Sequence, residues 1–192
     1  MNKLQKIYKG IQLLLQRPSA INTLLEENLY QRQLFLQQHH LPNGLPYVQL
    51  ADLISLNDVV VQCSLLEGGS SPADYLLLAG LAKKQGGHYF EIGTWRGESV
   101  LNVAPYMQSC TTLNLPATDI VQSGGPQTYA AQMGFFSKPI TNIRHLEANS
   151  LTFDYASLQQ PFSLIFIDGD HRYTSVQTDT KNVFQHLVKD NT

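Results

Sequence analysis

Apolar positions along this chain keep two different rhythms. In residues 1–40, Leu4, Ile7, Ile11 and Leu14 recur at three-to-four spacing, Arg17-Pro18-Ser19 interrupts them, and Ile21, Leu24, Leu25 and Leu29 resume the pattern. Two helices are therefore expected before His40. Leu41 to Pro46 reads as a loop, and Gly68-Gly69-Ser70-Ser71-Pro72 as a second one that opens a helix. Ser71 is placed to cap that helix, Pro72 suits its first position, and Asp74 favours the positive end of the dipole. Leu77, Leu78, Leu81 and Ala82 carry the helix to Gly86-Gly87.

From that point short apolar runs alternate with helical stretches. Tyr89, Phe90 and Ile92 form a strand, and Val100, Leu101 and Ala104 restart at helical spacing after Gly93 and Gly97. Thr111 to Leu115, Asn142 to Leu146 and Phe162 to Ile167 read as three further strands. Val59-Val60-Val61 is a strand candidate with no assignable partner. Between the second and third strands the chain is loop-rich, with a short helix from Thr128 to Met133. A last helix comes after the fourth strand, with Thr174 and Gln177 as its capping box and Val176, Val183, Phe184 and Leu187 as its buried stripe. Strands alternating with helices define an α/β fold with a doubly wound, Rossmann-like sheet. We place a boundary near Gly68: residues 1–67 are a helical cap or dimerisation segment, and residues 68–192 are the main domain.

Composition excludes more than it selects. The 192 residues are 43% hydrophobic, enough for a core, and a net charge of −2 gives no basic field for nucleic acid. Cys63 and Cys110 form neither a CxxC motif nor a disulfide framework, as expected of thiols in a reducing compartment. The apolar run Ile11 to Leu15 is interrupted by Gln12 and too short for a signal core or a membrane span, so a cytoplasmic protein with no membrane partner is expected. His39-His40 invites a metal reading, but adjacent helical residues point in different directions, and two solvated histidines are the better account.

The candidate chemistry gathers at strand ends. Glu91 precedes Gly93 by two residues, where an acid suits a positively charged ligand better than a pyrophosphate. Gly93 and Gly97 let the backbone approach a ligand, and the helix beyond aims unpaired N–H groups toward it. Asn114 lies 21 positions beyond Gly93 (114 − 93), about where α/β nucleotide folds place an acid for ribose hydroxyls. Its amide oxygen can accept such a bond without the charge assistance of a carboxylate. Asp119 is an alternative beyond the strand. Asn149-Ser150 is suited to an adenine edge or, equally, to an ordinary Asx or Ser turn. Asp168-Gly169-Asp170-His171 ends the fourth strand, on the side where open α/β sheets bind ligands.

In that order, FEIGTWRGES, TTLNL, LEANSLTFDY and FSLIFIDGDHRYTSVQTD resemble the class I S-adenosylmethionine-dependent methyltransferases, in the small-molecule O-methyltransferase-like branch with an IDG-x-H-x-Y motif. The resemblance covers residues 68–192. It implies that Glu91, Gly93, Thr94 and Gly97 belong to the first cofactor motif, that Asn114 replaces the ribose-binding acid, and that Asn149-Ser150 stands where an Asp-Ser pair flanks adenine. Asp168 joins that cofactor set. Methyl transfer to a hydroxyl requires alignment and removal of one proton. Asp168 and His171 are the candidate bases, and histidine titrates nearer neutrality than a carboxylate; His171 could equally fix the loop. Asp168 could instead hold Mg²⁺, as in some resembling enzymes, though the further carboxylates of such a site are not apparent.

The expected function is therefore S-adenosylmethionine-dependent methyl transfer to a small-molecule acceptor, a hydroxyl oxygen of a sugar or secondary metabolite. A non-catalytic cofactor-binding or interaction protein is the alternative. An NAD-dependent oxidoreductase ranks lower, because the G-x-G-x-x-G spacing is absent. In the resembling fold the fourth strand is internal, so an uncovered FSLIFI edge would invite pairing with other chains. The expectation is a fragment of a longer domain, or an edge covered by the N-terminal segment or another subunit.

Overall fold

A computed structural model of the chain describes residues 2–16 and 27–189. The break at Arg17-Pro18-Ser19 and the stripe positions Ile21, Leu24 and Leu25 lie outside the described residues. Contacts divide the chain into two compact units, Met1–Val48 and Gln49–Thr192. Two helices of the first unit are described, α1 (Lys3–Gln16) and α2 (Glu27–Gln38). Among the described residues no helix is long and apolar enough to cross a membrane.

The second unit opens with a short helix, α3 (Leu50–Leu53), and an extended segment tied to residues some forty positions further along the chain. The Gln62 N–H donates to Asn102 Oδ1 at 2.7 Å, and Val60 N–H donates to Tyr106 Oη at 3.0 Å. Val59-Val60-Val61 is thus not a strand: it joins no ladder, and the Val60 N–H goes to a side chain. Gly68 lies inside this unit. Helix α4 (Pro72–Gln85) begins at Ser71 with a full capping box, in which Ser71 Oγ accepts from the Asp74 N–H and Asp74 accepts from the Ser71 N–H. Such a cap contributes roughly 1 kcal/mol.

Four strands come next: β1 (His88–Ile92), β2 (Ser109–Asn114), β3 (Ile143–Glu147) and β4 (Leu164–Ile167). They form one parallel sheet in the order β3-β2-β1-β4. Helix α5 (Glu98–Val103), continued by a 3₁₀ turn over Ala104–Tyr106, links β1 to β2. Helices α6 (Ala117–Gln122) and α7 (Gln127–Ala130) lie between β2 and β3, and α8 (Tyr173–His186) comes after β4. Side chains alternate across a strand. Tyr89 accordingly enters a core with Leu78, Val100, Val103 and Cys110, while Phe90 and Ile92 enter another with Leu113, Phe162, Val183 and Leu187. The second core adds edge or tilted aromatic contacts of Phe90 with Tyr155 and Phe162.

The structure departs from several expectations. The helix expected over Thr128–Met133 is α7, and α6 occupies part of what reads as loop. Helix α8 has no Thr174–Gln177 capping box, because it starts at Arg172 and Thr174 already lies inside it. Asp170 does the capping work instead, accepting from the Arg172 N–H and from Ser175 Oγ. Of the expected stripe, Val183 and Leu187 are buried, whereas Val176 and Phe184 are exposed. The four β4 residues are each half-buried, and among the described residues β4 pairs with β1 alone.

Candidate functional site

The order β3-β2-β1-β4 reverses direction between β1 and β4, and the carboxyl ends of those two strands define the crevice where open parallel sheets bind ligands. On one side stands the turn Gly93-Thr94-Trp95-Arg96-Gly97. Gly93 has φ +95°, and a Cβ there would overlap the Asp168 carbonyl oxygen. Its lack of a side chain serves the packing of β1 against the end of β4. Gly97 has φ +82°, and a Cβ there would collide with Ser137. Both glycines hold neighbouring chain at close range.

Glu91 is fully enclosed on the α5 side of β1. Its Oε2 accepts from Tyr89 Oη and from Ser99 Oγ, both at 2.8 Å. Burial pushes its carboxyl up to about 7; the two hydrogen bonds oppose that rise and nearby Asp168 adds to it. Its Oε1 has no partner. Glu91 thus joins strand to helix, and any influence on a cationic ligand would act through space rather than by contact.

Asn114 anchors the turn. Its Oδ1 accepts from the backbone N–H groups of Thr94 at 3.0 Å and Trp95 at 3.2 Å, while Nδ2 donates to the Leu115 carbonyl. The amide oxygen expected to meet a ribose is therefore already engaged with two turn donors. Thr94 Oγ1 and Trp95 Nε1 are buried without partners. Trp95 has φ +39°, its ring stacks on Tyr129 at 4.8 Å, and the Arg96 guanidinium lies 3.9 Å from its centroid. The loop-rich connection after β2 forms the wall: Gly134 N–H donates to the Trp95 carbonyl at 2.6 Å and Phe136 N–H to that of Arg96 at 2.9 Å.

Beneath the turn is a buried ion pair that sequence reasoning missed. Arg96 Nε donates to Glu98 Oε2 at 2.9 Å, its NH1 donates to the Glu67 carbonyl, and both side chains are nearly inaccessible. Ser64 Oγ donates to the other oxygen of Glu98. The two charged residues flanking Gly97 in WRGE were the available signal.

The end of β4 differs. Asp168 and His171 are exposed, with Asp168 Oδ1 3.4 Å from His171 Nε2. Asp170 is held below the usual carboxylate range, first by the Ser175 hydroxyl and then by Arg172. Asn149 makes an Asx turn, its Oδ1 accepting from the Leu151 N–H at 3.0 Å. Ser150 bonds Asp179, a buried acid on α8 that was not foreseen and whose carboxyl is raised by burial. A Cβ on Gly169 would lie 3.4 Å from Asp179 Oδ2, so this acid backs the loops after β3 and β4 together. Asn149-Ser150 and Asp168-His171 thus come to the same edge of the sheet as the glycine turn. Among the described residues no group of three or more His, Cys, Asp or Glu gathers as a metal site.

Residues 90–192 match the family model of a methyltransferase domain. The chain belongs to that family, and its four parallel strands in the order β3-β2-β1-β4 are consistent with a Rossmann-like, class I S-adenosylmethionine-dependent methyltransferase fold. No curated protein matches the chain in sequence. Among solved structures it is similar to the methyltransferase PaMTH1 of Podospora anserina bound to S-adenosylhomocysteine, at 18% identity over 64% of this chain and 51% of that one, TM-score 0.47. It is also similar to the N-methyltransferase NodS of Bradyrhizobium japonicum, at 20% identity over 62% and 63%, TM-score 0.44. A caffeoyl-CoA O-methyltransferase-like protein of Staphylococcus aureus matches at 18% identity over 89% and 70%, TM-score 0.46. The chain spans about half the length of the Podospora protein.

Proposed function

We propose that this chain binds S-adenosylmethionine at the carboxyl edge of its sheet and transfers the methyl group to a hydroxyl oxygen of a small molecule, a sugar or secondary metabolite. The observation that carries the reading is the β1 turn inside the family match. There the turn after β1 carries two buried side-chain atoms without partners, Thr94 Oγ1 and Trp95 Nε1. Buried polar atoms without partners are uncommon in folded proteins, and a polar ligand would satisfy them.

The residues present fit such a cofactor. Gly93, Thr94 and Gly97 form the turn that would hold its amino-acid end, with Asp168 supplying negative potential for a cation and Glu91 adding to it when ionised. Asn114 would meet a ribose either by Nδ2 or after its Oδ1 exchanges a turn donor. Asn149 and Ser150 would flank the adenine. When bound, the cofactor supplies a methyl group on a positively charged sulfur. His171, or Asp168 beside it, would accept the proton that the acceptor hydroxyl gives up. Exposure of both residues suits an acceptor arriving from solvent. The exposed thiol Cys63 and the buried Cys110 fit a reducing, cytoplasmic setting.

Isothermal titration with S-adenosylmethionine and S-adenosylhomocysteine, and then turnover assays on hydroxylated acceptors, test the reading. Absence of binding to either would overturn it; binding without turnover across a broad acceptor panel would favour a non-catalytic cofactor-binding protein.

A further inference from the structure

Helix α1 carries its own start signal and buries nothing. Gln5 N–H donates to Asn2 Oδ1 at 2.9 Å and Asn2 N–H donates to Gln5 Oε1 at 3.0 Å, a reciprocal cap that specifies the helix locally. None of its residues is buried, and Leu4 and Leu15 are 76% and 78% exposed. On a helical projection Leu4, Ile7, Tyr8, Ile11, Leu14 and Leu15 fill an arc about 120° wide. Lys3, Lys6 and Lys9 lie outside that arc, and Lys3–Gln16 contains no acid. Leu13 alone breaks the division.

We infer that α1 is a peripheral membrane-binding helix that lies on an anionic lipid surface, with the apolar arc among the acyl chains and the lysines at the headgroups. An unpartnered apolar face admits several occupants, and charge selects among them. Packing α1 against a second copy of itself would join two helices that together carry six lysines (3 + 3) and no acid, with Lys3 of each beside the seam. An anionic lipid surface attracts all three lysines of one copy and receives the apolar arc at the same time. The helix is also the wrong length for anything deeper. Its 14 residues extend about 21 Å, short of the roughly 30 Å hydrocarbon core, so it lies along the interface and does not span it. The sequence expectation of no membrane partner rests on the absence of a spanning run, which leaves this mode of contact open.

Co-sedimentation of the full chain with mixed phosphatidylserine–phosphatidylcholine vesicles, and with pure phosphatidylcholine vesicles, tests the inference. Binding to the mixed vesicles alone is expected, weakening as salt rises. Replacing the lysines together (Lys3→Gln, Lys6→Gln, Lys9→Gln) should lower the partition coefficient roughly 100-fold. Ile11→Asp should abolish binding by putting a charge in the apolar arc. Far-UV circular dichroism and thermal melting establish that each variant keeps the fold of the sheet unit. Equal binding to both vesicle types, binding to neither, or wild-type partition of both variants would each overturn the inference. So would a dimer in sedimentation equilibrium that Ile11→Asp dissolves while vesicles are ignored, because that result assigns the face to a second copy.

Discussion

The turn after β1 and the turn after β4 meet at one edge of the sheet, yet they are built on opposite terms. Around Gly93–Gly97 the polar groups are buried and largely tied down: Glu91 Oε2 by two hydroxyls, Arg96 by Glu98, and the N–H groups of Thr94 and Trp95 by Asn114. Around Asp168–His171 the carboxylate and the imidazole stand exposed, 3.4 Å apart. A preformed buried network holds a fixed shape, which suits a ligand of one constant outline. Exposed groups on a short turn keep their rotamer freedom and their access to water, which suits proton exchange with an acceptor.

The contrast is most easily upset at Gly93. Gly93→Val adds branching at a positive φ and drives Cβ into the Asp168 carbonyl, so the ends of β1 and β4 must part. A loss of about 4 kcal/mol or more in urea unfolding is expected. A Gly93→Val protein that is as stable as wild type and merely fails to bind cofactor would return Gly93 to a ligand-clearance role.

Arg96→Ala should come close behind, at about 3–5 kcal/mol, because it leaves Glu98 buried and unpaired. Arg96→Ala together with Glu98→Ala should recover part of that loss. A double variant less stable than either single one would mean that the pair is held by its other contacts, with Glu67 and Ser64, more than by its own attraction.

Glu91 probes the buried side through pH. Its carboxyl is raised from 4.5 to about 7 in the fold, so the folded state favours the protonated form. The resulting stabilisation is full below the unfolded value near 4.5 and is lost as pH rises through about 7. Relative to Glu91→Gln, wild type should therefore lose about 3 kcal/mol between those limits. Parallel stability–pH curves for the two proteins would show that Glu91 does not titrate in this range.

The smallest structural effect belongs to the exposed turn. His171→Ala and Asp168→Asn should change stability by no more than about 0.5 kcal/mol. If either residue is the base, its variant should lower kcat for a hydroxyl acceptor about 100-fold or more while cofactor affinity is kept. Two fully active variants would remove both residues from proton transfer.

How much of the fold and site was legible depends on the range of each interaction. Three of the four strands announce themselves because Tyr89-Phe90, Thr111-Thr112 and the run to Ile167 are apolar or β-branched over consecutive residues. Ser71-Pro72-Asp74 declares its helix start because both partners of the cap lie within one turn. The same local logic misplaced the start of α8, where Thr174 and Gln177 had the right spacing. There Asp170 accepts from the Arg172 N–H, the Arg172 side chain and Ser175 Oγ, and Thr174 falls inside the helix. Asn114 stands out in the sequence by its place at the end of β2, but its bond to the N–H groups of Thr94 and Trp95 spans 20 and 19 residues, and no spacing rule reports it.

Neighbours a few residues apart dictate the alternation of strand and helix, the glycine corner after β1, and the presence of Asn114, Asn149, Ser150, Asp168 and His171 at strand carboxyl ends, so the bare chain already carries all three. Which of those groups remain free was settled by packing. Gly93 is committed to Asp168, the oxygen of Asn114 to the turn, and Ser150 to Asp179, while Thr94 and Trp95 keep polar atoms unmatched. The physical reason is that a side chain's chemistry is local, but its availability depends on what the fold packs against it. Strand order β3-β2-β1-β4 brings residues more than 70 positions apart (168 − 93 = 75) into contact at one edge.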